Sequence, residues 1–248
     1  MKHKKLLISL GASLVLLLGI VTAASFYLVD YALVSAERER NSNLAQIEKR
    51  FPELKSWLDS LQTVGALRDT FVVMPTTGKR AHALFVRSPR AKGRTAVLVH
   101  GYCDNATRML PIARIYNREL GANVLLPDLY AHGQSDGDAI QMGWKDRLDV
   151  LHWISLAPEL FRTEADSMRL VVHGISMGAA TTMCVSGEQT PQYVKCFVED
   201  CGYTSVWDEF SNEISARFSL PDFPLMYTAS WLVQVKYGWN FNEASPLK

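Results

Sequence analysis

Between Thr95 and Glu199, four short apolar runs alternate with longer helix-forming stretches, and that rhythm leaves few folds open. The runs are Thr95–Val99, Asn123–Pro127, Met168–His173 and Tyr193–Glu199, and helices are expected over about Ala106–Leu120, Trp144–Leu156 and Met177–Gly187. Strands and helices in alternation build a mostly parallel, doubly wound sheet with helices on both faces. Ahead of them, Leu67–Met74 and Ala81–Val86 flank Pro75, Thr76, Thr77 and Gly78, a hairpin pattern that predicts an antiparallel start to the sheet. After Gly202 the rhythm stops. The aromatic-rich segment Trp207–Phe241, with Pro221 and Pro224, reads as a helical cap.

The amino terminus imposes a second constraint. Met1–Lys5 carries three lysines, and the 24 residues Leu6–Val29 contain no charge. As a helix that run reaches roughly 36 Å, enough for a hydrocarbon core of about 30 Å. A cleaved signal peptide is the rival, because Val21, Thr22, Ala23 and Ala24 supply small residues. The run continues through Phe26, Tyr27 and Leu28, longer than a signal core needs, so a single-pass anchor is expected. Lysines before the span place residues 1–5 in the cytoplasm and the domain on the extracytoplasmic side. A charged connector follows over 30–63, with Leu44, Ile47, Phe51, Leu54, Trp57 and Leu61 at helical spacing. Residues 64–248 then form one domain, with the cap at about 206–243.

A formal net charge of +1 gives no basic excess that would suggest nucleic acid. Cys103, Cys184, Cys196 and Cys201 lack paired C-x-x-C spacing, so buried free thiols are expected rather than a zinc site or disulfide scaffold. A Cys196–Cys201 bridge is the alternative in an oxidising compartment.

The chemistry-bearing motif is Gly174-Ile175-Ser176-Met177-Gly178. It follows the apolar run Leu170-Val171-Val172 and precedes the small helix formers Ala179 and Ala180. A serine on a sharp strand-to-helix turn projects its hydroxyl above the sheet, and the glycines permit close backbone approach. The competing role for Ser176 is an unreactive helix cap. Val97-Leu98-Val99-His100-Gly101-Tyr102 ends a strand where an oxyanion loop would lie. Its donors would be the backbone amides of Met177 and Tyr102, with His100 shaping the loop.

These residues make the chain resemble bacterial membrane-anchored α/β-hydrolases of the serine-esterase and acyl-peptidase-like group. The likeness covers Val64 onward and rests on His100-Gly101, Asp128–Gly137 (DLYAHGQSDG), Gly143–Asp149 (GWKDRLD), GISMGAA and Glu199–Ser205. Tyr130 and Ala131 depart from it, standing where Arg and Gly are common. The resemblance implies an α/β-hydrolase fold and, beyond the cap, two further strands whose loops bring the triad acid and histidine. Both strands are absent here, so a carboxyl-truncated chain is expected.

Six histidines are candidates for the base of Ser176. His3 precedes the span, His82 lies in the hairpin, His100 in the oxyanion loop, His132 in a rim loop, His152 mid-helix, and His173 at the end of the nucleophile strand. None follows Ser176, so no serine–acid–histidine order is visible. Asp200 is a candidate acid or a turn cap, and Asp128 a loop-ordering aspartate. The expected function is hydrolysis of a carboxylic ester, thioester or amide through an acyl-enzyme at Ser176. The partners expected are a small acyl substrate and the membrane; no metal or cofactor is implied. The aromatics Trp207, Phe210, Phe218, Phe223, Tyr227 and Trp231 suggest an apolar acyl group or a lid core. The alternative is a non-catalytic binding protein displayed on the same scaffold.

Overall fold

The structure, a computed structural model, describes residues 2–34 and 44–248. Met1 and residues 35–43, which form part of the expected connector, lie outside the described residues. The chain divides into two compact units.

The larger unit is built on six strands: β1 (Leu67–Val73), β2 (Arg80–Val86), β3 (Arg94–Val99), β4 (Asn123–Pro127), β5 (Arg169–Ile175) and β6 (Val194–Asp200). Their order across the sheet is β1-β2-β4-β3-β5-β6. The hairpin β1/β2 and the pair β2/β4 are antiparallel, and β4, β3, β5 and β6 run parallel. The antiparallel start is therefore as the sequence implies. The apolar runs supply the middle of the sheet: all five residues of β4 are buried, and β3 exposes only Arg94. Strands buried on both faces need such continuous runs.

Helices α2 (Leu44–Arg50) and α3 (Leu54–Thr63) lay the expected stripe onto one sheet face, where Ile47, Leu54, Trp57 and Leu61 join Leu98 and Leu126 in one core. The helix expected over Ala106–Leu120 is three pieces, a 3₁₀ turn (Ala106–Met109), α4 (Leu110–Arg114) and a π turn (Ile115–Glu119). Asn105 caps the first, its Oδ1 accepting from the amides of Thr107 and Arg108. Helix α5 (Asp146–Phe161) runs a turn past its expected end because buried Phe161 packs edge-on against Phe85, with ring centroids 5.9 Å apart. Helix α6 (Met177–Ser186) packs on β5 and β6.

One strand is more apolar than its position requires. β6 has the apolar content of a two-face-buried strand, yet it forms the sheet edge and exposes Cys196, Val198, Glu199 and Asp200. All four cysteines are free, but Cys196 and Cys201 are exposed, which corrects the expectation that all are buried. Their exposure follows from lying on, and just after, that uncovered edge.

The smaller unit joins the amino-terminal helix to residues 205–245. Helix α1 (Lys2–Val29) continues as a π turn, Asp30–Val34. Helix α7 (Val206–Phe218) is capped by the Ser205 hydroxyl, which accepts from the Asp208 amide at 3.2 Å. Helix α8 (Leu225–Tyr237) ends at Gly238, whose φ of 70° suits glycine. Helix α8 lies against α1: Ser25 and Thr228 share a hydrogen bond, and Tyr31 meets Phe218 edge-on at 5.9 Å.

Candidate active site

The site is built at the carboxyl ends of β3 and β5. Ser176 sits between β5 and α6 with φ 54° and ψ −119°, a conformation that side-chain-bearing residues seldom adopt. The fold holds this strain from both sides. The Ser176 amide donates to the Asp200 carbonyl at 2.8 Å, and its carbonyl accepts from the amides of Ala179 and Ala180. Gly174 and Gly178 make the sharp turn possible: a Cβ on Gly174 would lie 2.0 Å from the Gly178 carbonyl oxygen, and one on Gly178 would lie 2.1 Å from that of Val99. The start of α6 therefore presses directly on the end of β3.

That pressure brings Gly101 to the serine. A Cβ on Gly101 would stand 3.4 Å from Ser176 Cβ and 3.9 Å from its Oγ. Met177 is the first residue of α6, and a helix's first amides have no partner within the helix. Helix start and loop thus frame the hydroxyl with backbone, at the end where the helix dipole favours negative charge. Tyr102, the residue after Gly101, is two-fifths exposed.

His100, His132 and His82 have both ring nitrogens engaged. The Leu129 amide donates to His100 Nε2 at 3.0 Å, so Nδ1 carries the proton and donates to the Gly101 carbonyl at 2.8 Å. Burial pushes this imidazole's pKa down, and it holds the loop as a neutral ring. His132 is engaged in the same way: its Nε2 accepts from the Cys103 amide at 3.3 Å, and its Nδ1 donates to the Tyr130 carbonyl at 2.9 Å. His173 Nδ1 meets the Tyr116 hydroxyl at 3.0 Å. His152 is half-buried in α5.

His82 lies between two carboxylates, Asp128 at 2.7 Å and Asp69 at 3.0 Å. Burial acts to lower its pKa, but hydrogen bonds and charge from Asp128 and Asp69 win and raise it. Asp128 orders its loop, accepting from the amides of Ala106 at 2.7 Å and Gln134 at 2.8 Å. Burial would raise its pKa, but His82 and these bonds hold it low. In the same loop Ala131 has φ 61°, so alanine occupies a left-handed position where the resembling family commonly has glycine. Asp200 carries its carboxylate exposed at the end of β6.

Nothing in the pattern GWKDRLD marks Asp146 for a role. Asp146 is fully buried; its Oδ2 accepts from the Gly143 amide at 2.8 Å, while Oδ1 is buried with no hydrogen-bond partner among the described residues. A Cβ on Gly143 would lie 2.8 Å from Thr181 Oγ1, and that hydroxyl donates to the Met177 carbonyl at 2.8 Å. The Asp146 loop thus buttresses the first turn of α6. Burial, helped by repulsion from Asp149, pushes the Asp146 pKa to about 7. A raised carboxyl pKa means that the folded state favours the protonated form. The stabilisation is complete below about pH 4 and is lost as pH rises through about 7, by about 1–4 kcal/mol. Urea titrations from pH 4.5 to 8 should show this fall, and Asp146→Asn should flatten it. An unchanged slope in the variant would assign it to another group.

The site's setting matches a known architecture. No protein-family model matches the chain. It is 24% identical over 247 residues to the protein YqkD of Bacillus subtilis, covering 98% of this chain and 75% of that protein. It is 29% identical over 133 residues to the alpha/beta hydrolase domain-containing protein WAV2 of Arabidopsis thaliana, covering 53% of this chain and 41% of that one. A solved structure of the Pyrococcus furiosus esterase Pf2001 superposes with a TM-score of 0.54 at 21% identity, covering 71% of this chain and 63% of the esterase. The chain has an α/β-hydrolase fold. Within that fold the Ser176 turn joins β5 to α6, and the loop after β3 lies beside it.

Proposed function

We propose that the protein is a membrane-anchored serine hydrolase that cleaves a carboxylic ester, thioester or amide through an acyl-enzyme at Ser176. The observation that carries this reading is the strained Ser176 turn with the Gly101 backbone against its hydroxyl. A serine kept in such a conformation points to reactivity, whereas a plain helix cap needs no strain. In the reaction Ser176 Oγ bonds to the acyl carbon, and the amides of Met177 and Tyr102 receive the developing oxyanion. The alcohol, thiol or amine leaves with a proton, and water then releases the acid.

No base is seen bonded to Ser176 among the described residues: His82, His100 and His132 have both ring nitrogens engaged elsewhere, and His173 is held by the Tyr116 hydroxyl through Nδ1, with Nε2 unpartnered. This supports a low turnover for the 248-residue chain, for which further strands would supply the triad histidine and acid. The open edge of β6 is where such strands would pair. The anchor reading rests on Lys4–Val34, a helix of 31 residues whose apolar window has a mean hydropathy of 2.5 and is unburied. With lysines before it, the hydrolase domain is placed outside the cytoplasm.

The same engaged histidines favour a second reading, a membrane-displayed binding protein without chemistry. A fluorophosphonate probe separates the two. Slow, saturable labelling of Ser176, absent in Ser176→Ala, is the expected result. Labelling of neither form supports the binding protein, and equal labelling of both removes Ser176 as nucleophile.

A further inference from the structure

The aromatics expected to fill a lid core do not all do so. Tyr227, Trp231 and Val235 follow one another at steps of four on one face of α8, and Phe223, just before the helix, sets its ring against that of Tyr227 with centroids 5.9 Å apart. Phe223, Tyr227, Trp231 and Val235 are 73%, 57%, 64% and 65% exposed, while Met226, Ala229, Ser230 and Val233 on the other side of α8 are buried. Such a stripe is costly in water, since each large apolar side chain forgoes about 1.5–3 kcal/mol by remaining exposed.

The neighbouring helix indicates what covers it. Helix α8 is fixed to α1 by the Ser25–Thr228 hydrogen bond, and Ser25 lies inside the uncharged run, five residues before Asp30. Five residues of helix are about 7.5 Å. The first turn of α8 is thereby tied to a depth of about 5–10 Å below the first charge after the span, where interfacial amphipathic helices bury their apolar faces. Around that level α1 exposes Phe26 and Tyr27, and Tyr27 stacks on Tyr31 with ring centroids 6.2 Å apart. Tyr and Trp favour the headgroup boundary, with apolar bodies and polar tips. Helix α8 holds no acidic residue, and its one charged residue, Lys236, is in the last turn, where it suits anionic headgroups.

We infer that α8 is a second membrane contact, lying in the lipid interface beside the exit of the span with the Phe223–Tyr227–Trp231–Val235 face among headgroups and upper acyl chains. This rests on reading α1 as a membrane span. The hydrolase substrate would then be met at the membrane surface, among molecules with an acyl chain.

The test uses the full chain in vesicles of phosphatidylethanolamine and phosphatidylglycerol, with the photoreactive residue p-benzoylphenylalanine replacing Tyr227, Trp231, Leu14 or Lys195 in turn. Irradiation followed by intact-mass measurement reads covalent lipid. Lipid adducts at 227 and 231, comparable with those at 14 and at least about tenfold above those at 195, are expected. Adducts at 14 but none at 227 and 231 overturn the inference and leave the span intact. Crosslinks from 227 or 231 to protein, within the chain or to a second copy, also overturn it. Absence of lipid adducts at 14 removes the span itself, and the inference with it.

Discussion

The 248-residue chain should hydrolyse p-nitrophenyl butyrate only about 10³–10⁴-fold faster than water does, a rate about 10⁴–10⁶ below that of a complete triad. The residual rate would come from binding and from the proposed oxyanion hole, whose amides need no base. Among the described residues only His173 Nε2 is a ring nitrogen recorded as buried without a partner, and its ring is held by the Tyr116 hydroxyl through Nδ1. His100 and His132 each use one nitrogen to accept a backbone amide and the other to hold a backbone carbonyl. Freeing either ring would dismantle the loop it supports. The pH–rate profile checks this, because an unassisted serine should gain rate steadily with hydroxide, without an imidazole inflection. A profile with a midpoint near pH 6–7 that vanishes in His132→Gln or His173→Gln would place the base there.

A second large effect is expected at the turn beneath the serine. Gly178→Ala should cost about 3 kcal/mol or more in the stability of the detergent-solubilised chain, read from urea unfolding. Overpacking a core typically costs about 1–3 kcal/mol when side chains give way, and here the obstacles are backbone. The new Cβ would lie 2.1 Å from the Val99 carbonyl oxygen and 2.6 Å from that of His100, so β3 and α6 must part. Folded domains hold only about 5–15 kcal/mol in total, making this a large share. Gly187→Ala is the control: its Cβ would meet only the Cys184 carbonyl oxygen at 3.6 Å. That variant should stay within about 0.5 kcal/mol. A Gly178→Ala chain as stable as the control would mean that the elbow is less tightly packed than the structure has it.

Much of this was written in local pattern. The six strands fall within a residue or two of the runs that predict them, because a run such as Val97-Leu98-Val99 satisfies a strand buried on both faces and little else. The uncharged segment Leu6–Val29 dictates an apolar helix for the same reason, and GISMG names its serine because only glycines tolerate the approach on either side. Other features depend on partners distant in sequence. No pattern reveals that His100 and His132 are spent on the backbone, since Leu129 and Cys103 are each 29 residues away from the ring they donate to. Asp146 reads as an ordinary charge in a helical first turn, and its raised pKa exists only because the fold buries it beside Asp149. Periodicity alone groups the cap's aromatics as an apolar helix face. The packing of α8 on α1 decides which of them are covered, because burial is settled by what lies opposite a side chain and not by the side chain itself.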